Sequence, residues 1–197
     1  MYVEWRRLQP AGMRRDQENR FPLWERTKLI KSYVGTVVPG FLQAPEYATA
    51  LLSSIGVFHG TPDDVAEAVA ARMQRRRLVI SDNHRFAAVL EEAVLRQVVG
   101  DANVMAGQLS YFLEAMTFPS LSLGVIPFRT AERPVWPLEA FTVFDDSRVS
   151  VELLSAQVTL TVPSEIVLYV RAFERLSGIA VYGDNARALI IEAIGTL

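Results

Sequence analysis

Between residues 37 and 48 the chain reads Val-Val-Pro-Gly-Phe-Leu-Gln-Ala-Pro-Glu-Tyr-Ala, with two prolines and a glycine among large apolar residues. No other stretch restricts the backbone as tightly. Pro39 fixes its own φ and turns Val38 away from the helical region, while Gly40 can take the angles of a sharp reversal. Pro45 suits the first turn of a helix running through Tyr47, Leu51 and Leu52. The segment is too apolar for a surface loop, so it predicts a buried turn joining two helices.

Around that turn the chain has enough material for one core. It has 197 residues, half of them apolar and 21% charged, the balance of a folded chain rather than a disordered one. The net charge of −2 offers no global field for nucleic acid. With no cysteine, thiol catalysis, disulfides and cysteine metal sites are excluded. No apolar run reaches the ~18 residues of a membrane span, and the arginine-rich start is unlike a signal peptide, so a cytoplasmic protein is expected.

Taken in order, residues 1–20 read as a polar N-terminal arm with a short helix around Val3–Leu8 and a linker holding Pro10 and Gly12. Residues 21–197 read as a single domain. Leu23, Trp24, Thr27, Ile30 and Val34 predict a helix over Phe21–Tyr33. Thr61-Pro62-Asp63-Asp64 reads as a helix start, the helix continuing through Val69 and Met73 to Leu78. A strand followed by a short helix is expected over residues 86–99, then an amphipathic helix over Asn103–Thr117. Strands are expected at Leu121–Phe128, Phe141–Phe144, Arg148–Leu154 and Val158–Val162, with two closing helices capped by Ser164 and Asp184. The class is α+β: a mixed β-sheet covered by helices, with a helical N-terminal arm.

Motifs of ordinary catalysis are missing: no glycine-rich phosphate loop, no Gly-x-Ser-x-Gly, no His-Glu-x-x-His. His84 beside Asp82 could form a base pair of residues, although a plain surface pair is the simpler reading. Nothing supplies three convergent metal ligands, so no metal and no cofactor are expected. Glu92 and Glu152 each stand in an apolar run, where a carboxylate is paired, turned outward or raised in pKa. Either could protonate or hydrogen-bond a ligand oxygen, as could Gln108, and these three are the candidate catalytic groups. Arg72 and Arg75 on the 65–78 helix read first as a solvated basic face, and otherwise as a hold for phosphate or carboxylate. Tyr47, Phe112, Phe128 and Trp136 complete the candidate substrate contacts. Trp136, in a proline-rich loop, would cover an enclosed apolar pocket between the sheet and the 103–117 helix.

Pro39-Gly40-Phe41-Leu42-Gln43-Ala44-Pro45-Glu46-Tyr47-Ala48 also resembles the signature of the DUF5753 family, a domain of actinobacterial transcription regulators that follows an Xre-type helix-turn-helix head. Trp5-Arg6-Arg7, Gly12, Gln17, Ala71-Arg72-Met73-Gln74-Arg75, Leu90-Glu91-Glu92-Ala93-Val94-Leu95-Arg96, Gln108-Leu109 and Val125-Ile126-Pro127 continue it in the same order. Ala44 and Arg76 depart from the usual Thr and Gln. The resemblance implies a ligand- or partner-protein-binding domain of a regulator, some relatives being paired with small partners in toxin–antitoxin-like arrangements. The sequence starts at Met1 with no such head. The leading expectation is therefore a repurposed, cofactor-independent cyclase, closing a ring of the [4+2] type in a hydrophobic polyketide-like substrate of an antibiotic pathway. Enclosure and one or two hydrogen bonds would do the work. If residue 1 lies within a longer protein, the regulator reading leads instead. The expected partner is a hydrophobic small molecule, not nucleic acid or membrane, with a homodimer left open.

Overall fold

The computed structural model describes residues 1–8, 12–81 and 83–197. Its frame is a seven-stranded sheet made of β1 (Tyr2–Glu4), β2 (Leu29–Val34), β3 (Arg85–Glu91), β4 (Leu121–Ile126), β5 (Phe141–Phe144), β6 (Arg148–Glu152) and β7 (Ala156–Leu160). Across the sheet the order is β1-β7-β6-β5-β2-β3-β4. The sheet changes character at β2, which runs parallel to β3 and antiparallel to β5. Helices α1 (Trp5–Leu8), α2 (Gly12–Arg26), α3 (Pro45–His59), α4 (Val65–Ile80), α5 (Ala93–Arg96), α6 (Ala102–Ala115), α7 (Pro163–Ile179) and α8 (Gly183–Ile194) cover it. The α+β class and the mixed sheet stand as expected.

Strand alternation separates two cores. Ile30, Val34, Phe86, Ala88, Leu90, Leu123 and Val125 face one side, where they meet Phe41, Tyr47, Leu109 and Phe112. Tyr33, Val89, Phe141, Val143, Val149 and Val151 face the other, against Ile166, Phe173 and Leu176 of α7. No helix among the described residues is long and apolar enough to cross a membrane.

Several expectations change. The 21–33 helix stops at Arg26, and Leu29–Val34 is the central strand β2. Ile30 and Val34, four apart, fit one helix face but equally one strand face, and ladders on both sides decide for the strand. Residues 2–4, placed in a helical arm, pair antiparallel with β7 as the sheet edge. Gly12, expected in a linker, opens α2, while Pro10 lies outside the described residues. The Thr61 start also moves: α4 begins at Val65 after Asp64. The Asp64 carboxylate instead accepts the Met13 and Arg14 amides at 3.1 and 2.8 Å, capping α2 from another element. The last two helices start at Pro163 and Gly183, each one residue before its expected cap.

The proline–glycine turn is buried as expected but joins strand β2, not a helix, to α3, with Phe41 and Leu42 at 1% and 0% exposure in a short 3-10 turn and Pro45 opening α3. What holds it is an amide. Gln108 on α6 is fully buried, accepts the Ala44 N–H at 2.7 Å and donates to the Leu42 carbonyl at 2.8 Å. Gln108→Ala would leave both backbone groups buried without partners, at about 1–3 kcal/mol each. We expect a loss of about 3 kcal/mol, measured as a lower urea midpoint at unchanged slope; a loss under ~1 kcal/mol would mean that the turn holds itself.

Candidate functional site: a buried arginine cleft

Helix α4 turns Ala68, Ala71, Arg72, Arg75 and Val79 inward, so two arginines lie on its core-facing stripe. Helix α2 does the same with Met13, Gln17 and Trp24. Where these faces meet the turn, Arg72 and Arg75 are 9% and 4% exposed. Their solvated-face reading is therefore corrected: the stripe that packs α4 continues through both guanidiniums.

Their partners are neutral. Arg72 donates from Nη1 to Gln43 Oε1 at 2.5 Å and from Nε to Gln17 Oε1 at 3.2 Å. Arg75 donates from Nη2 to the same Gln17 oxygen. Its guanidinium carbon sits 5.6 Å from the Trp24 ring centre, and its Nε has no hydrogen-bond partner. Burial pushes Arg72 down to about 10, opposed by the charge of Glu152 and helped by that of Arg20. Burial, then Arg72 and Arg20, push Arg75 down to about 9. Both remain charged at neutral pH, and among the described residues neither has a carboxylate in direct contact.

The acids stand further out, around Arg20. That side chain bonds Glu152 of β6 and, at 2.9 Å, Asp16 one helical turn back. Burial works against its charge, but Glu152 and Asp16 outweigh burial and raise its pKa. The charge of Arg20 holds the Glu152 carboxyl below its usual range against the cost of burial, with Arg72 and Arg75 contributing. Glu152 is 57% exposed yet lies within the field of three arginines. Beside it, strand register sets Ser32, Thr142, Ser150 and Thr159 in one row across β2, β5, β6 and β7, with Gln157 donating to Ser150 at 3.0 Å.

Other expected site residues lie elsewhere. Gln108 is spent on the turn, and Glu92 accepts Arg96 at 2.9 Å and the Phe128 amide at 2.9 Å. Tyr47 is buried with its hydroxyl accepting the Val38 amide at 3.2 Å, below Arg72. Phe112 is core, while Phe128 and Trp136 are 64% and 74% exposed. The apolar pocket expected against α6 is filled, since Met105, Leu109, Phe112 and Ala115 are fully buried. Its supposed cover belongs to the opposite face: Val135 joins the α7 core, and Arg133 forks onto Glu91 at 2.6 and 3.0 Å. His84 donates from Nδ1 to the Thr27 carbonyl at 2.7 Å, while Asp82 lies outside the described residues. Among the described residues no group of His, Asp or Glu could hold a metal ion. A depression of about 560 Å³ between Arg14, Glu18, Asp64 and Glu67 lies on the solvent side of α2.

The structure thus brings together Arg72, Arg75 and Glu152. It adds Gln17, Arg20 and Gln43, which sequence reasoning left out of the site. Extending the 68–79 stripe by helical spacing would have found both arginines inside.

The family profile described as a domain of unknown function, DUF5753, matches residues 25–192. The chain belongs to the DUF5753 family. No curated protein matches it. Among solved structures, it is similar to TrmBL2, an archaeal chromatin protein with a novel mode of DNA binding, at a TM-score of 0.43 and 11% identity. That match covers 93% of this chain and 52% of the other, so the chain spans about half the length of TrmBL2. A likeness of that size assigns no function.

A buried guanidinium without a counter-ion costs stability. Replacing Arg75 by Met, of similar reach and no charge, is expected to raise the stability of the ligand-free protein by about 1–3 kcal/mol. Thermal and urea unfolding check this, and a destabilised Arg75→Met protein would show that the amide contacts repay the burial in full.

Proposed function

We propose that this chain is a small-molecule-binding domain that recognises an anionic oxygen group, a carboxylate or phosphate, through Arg72 and Arg75. The observation that carries this reading is that, among the described residues, the two buried guanidiniums have neutral amide oxygens as their direct hydrogen-bond partners. Arginine pairs best with planar or tetrahedral oxyanions in charge-assisted, often bidentate bonds, and a low-dielectric site strengthens them. Gln43 holds Arg72 while its own Nε2 grips the Val38 carbonyl at 2.7 Å, so the fork is set before a ligand arrives. The open, polar wall with Glu152 and the hydroxyl row would receive the ligand's body.

Regulators that sense a metabolite need such a site, and this is the role the family resemblance implies. Ring closure would have to use the same cleft, with the arginines polarising a carbonyl. Binding is the preferred reading because two of the three groups expected to do chemistry, Gln108 and Glu92, are committed to backbone and ion-pair contacts, while the third, Glu152, is paired with Arg20.

Calorimetric titration with benzoate, phenyl phosphate and uncharged benzyl alcohol tests it. At least one anion is expected to bind while the alcohol does not. Arg72→Gln and Arg75→Gln should each weaken binding by ~10-fold or more, the scale of one charge-assisted bond. Equal binding of the alcohol, or anion binding indifferent to both substitutions, would overturn the reading.

A further inference from the structure

Gln17 Oε1 is the one atom on which both buried guanidiniums converge, Arg72 through Nε at 3.2 Å and Arg75 through Nη2. Gln17 is 4% exposed and projects from the middle of α2, on the same face as Met13 and Trp24. Its amide nitrogen is turned back to the Asp16 carboxylate at 3.4 Å, which fixes the oxygen toward the arginines. An uncharged carbonyl oxygen thus sits where two positive groups would bind an oxyanion far better. The remaining inner donor, Arg75 Nε, is unpartnered.

We propose that Gln17 is a built-in stand-in for the ligand's oxyanion, and that the ligand displaces it, converting occupancy of the cleft into release of α2. The inference rests on the anion-binding reading above. Helix α2 is suited to report the exchange because few polar ties hold its length. Asp64 caps its first turn, Gln17 joins it to α4, Arg20 joins it to β6, and Trp24 anchors its end among Phe41, Phe86 and Phe144. When an anion takes the two guanidiniums, Gln17 loses both donors, and among the described residues the polar ties of the middle of α2 reduce to that of Arg20.

Gln17→Glu separates this from simple binding. A glutamate has the same shape and supplies the missing charge from within, so the variant is expected to melt higher than wild type in anion-poor buffer. It should also bind phenyl phosphate at least ~30-fold more weakly. In the wild-type protein, saturating phenyl phosphate should speed amide hydrogen exchange at residues 14–20 several-fold while slowing it on α4 near Arg72 and Arg75. If wild type binds no anion, the binding reading itself fails. If wild type binds and Gln17→Glu binds equally well, or α2 becomes more protected on binding, the stand-in inference fails and the binding site survives. Should Gln17→Glu not fold, the exchange pattern of wild type decides alone.

Discussion

Burial of Arg72 and Arg75 on the inner stripe of α4 sets the terms for everything packed around them. Withdrawing a guanidinium from water costs several kcal/mol unless its N–H groups and its charge are answered. The protein answers three of the N–H groups, with Gln17 from α2 and Gln43 from the turn, and part of the charge with the Trp24 face, and leaves Arg75 Nε unanswered. Compensating carboxylates are held back at Asp16 and Glu152, engaged by Arg20. This is a poor solution for stability and a good one for binding, because positive charge stays preorganised and undersupplied with anions.

The same polar contacts connect the site to the rest of the fold. Gln43 stands between Arg72 and the Val38 carbonyl, Tyr47 takes the Val38 amide, and Gln108 of α6 bonds Leu42 and Ala44 on either side of Gln43. The buried turn is thus a polar relay wrapped in apolar side chains, which is why an apolar segment needs two glutamines. The sheet contributes in a different way. Its strand order changes from parallel to antiparallel at β2, and on the antiparallel side β6 brings Glu152 to Arg20 of α2.

Elements with strong local punctuation were legible in the sequence. Pro45 marks α3, the Phe86 run gives β3 before α5, and the alternation at Leu121 gives β4. Elements decided by distant partners were not. β2 looks helical until two neighbouring strands claim its backbone, and Asp64 looks like part of its own helix start until α2 lies across it. The site divides along the same line. Arg72, Arg75 and Glu152 were named, but their burial and their meeting depend on α2, whose inward glutamine carries no signal beyond its spacing from Met13 and Trp24. Trp136 misled because an aromatic in a proline loop looks like a lid, while the packing of Val135 and Arg133 holds that loop on the far face.

The central claim is that two charged guanidiniums wait inside the protein for an oxyanion. The most direct measurement is the Nε–Hε NMR signals of Arg72 and Arg75 during titration with phenyl phosphate. Burial keeps water from Nε–Hε and so slows its exchange at neutral pH, and at Arg72 the bond to Gln17 adds to it. The account predicts that both are visible without ligand, that both shift together along one saturable curve, and that signals of exposed arginines such as Arg14 stay in place. Arg72 and Arg75 signals that exchange with water like exposed side chains, or that remain unmoved while surface arginines shift, would contradict it.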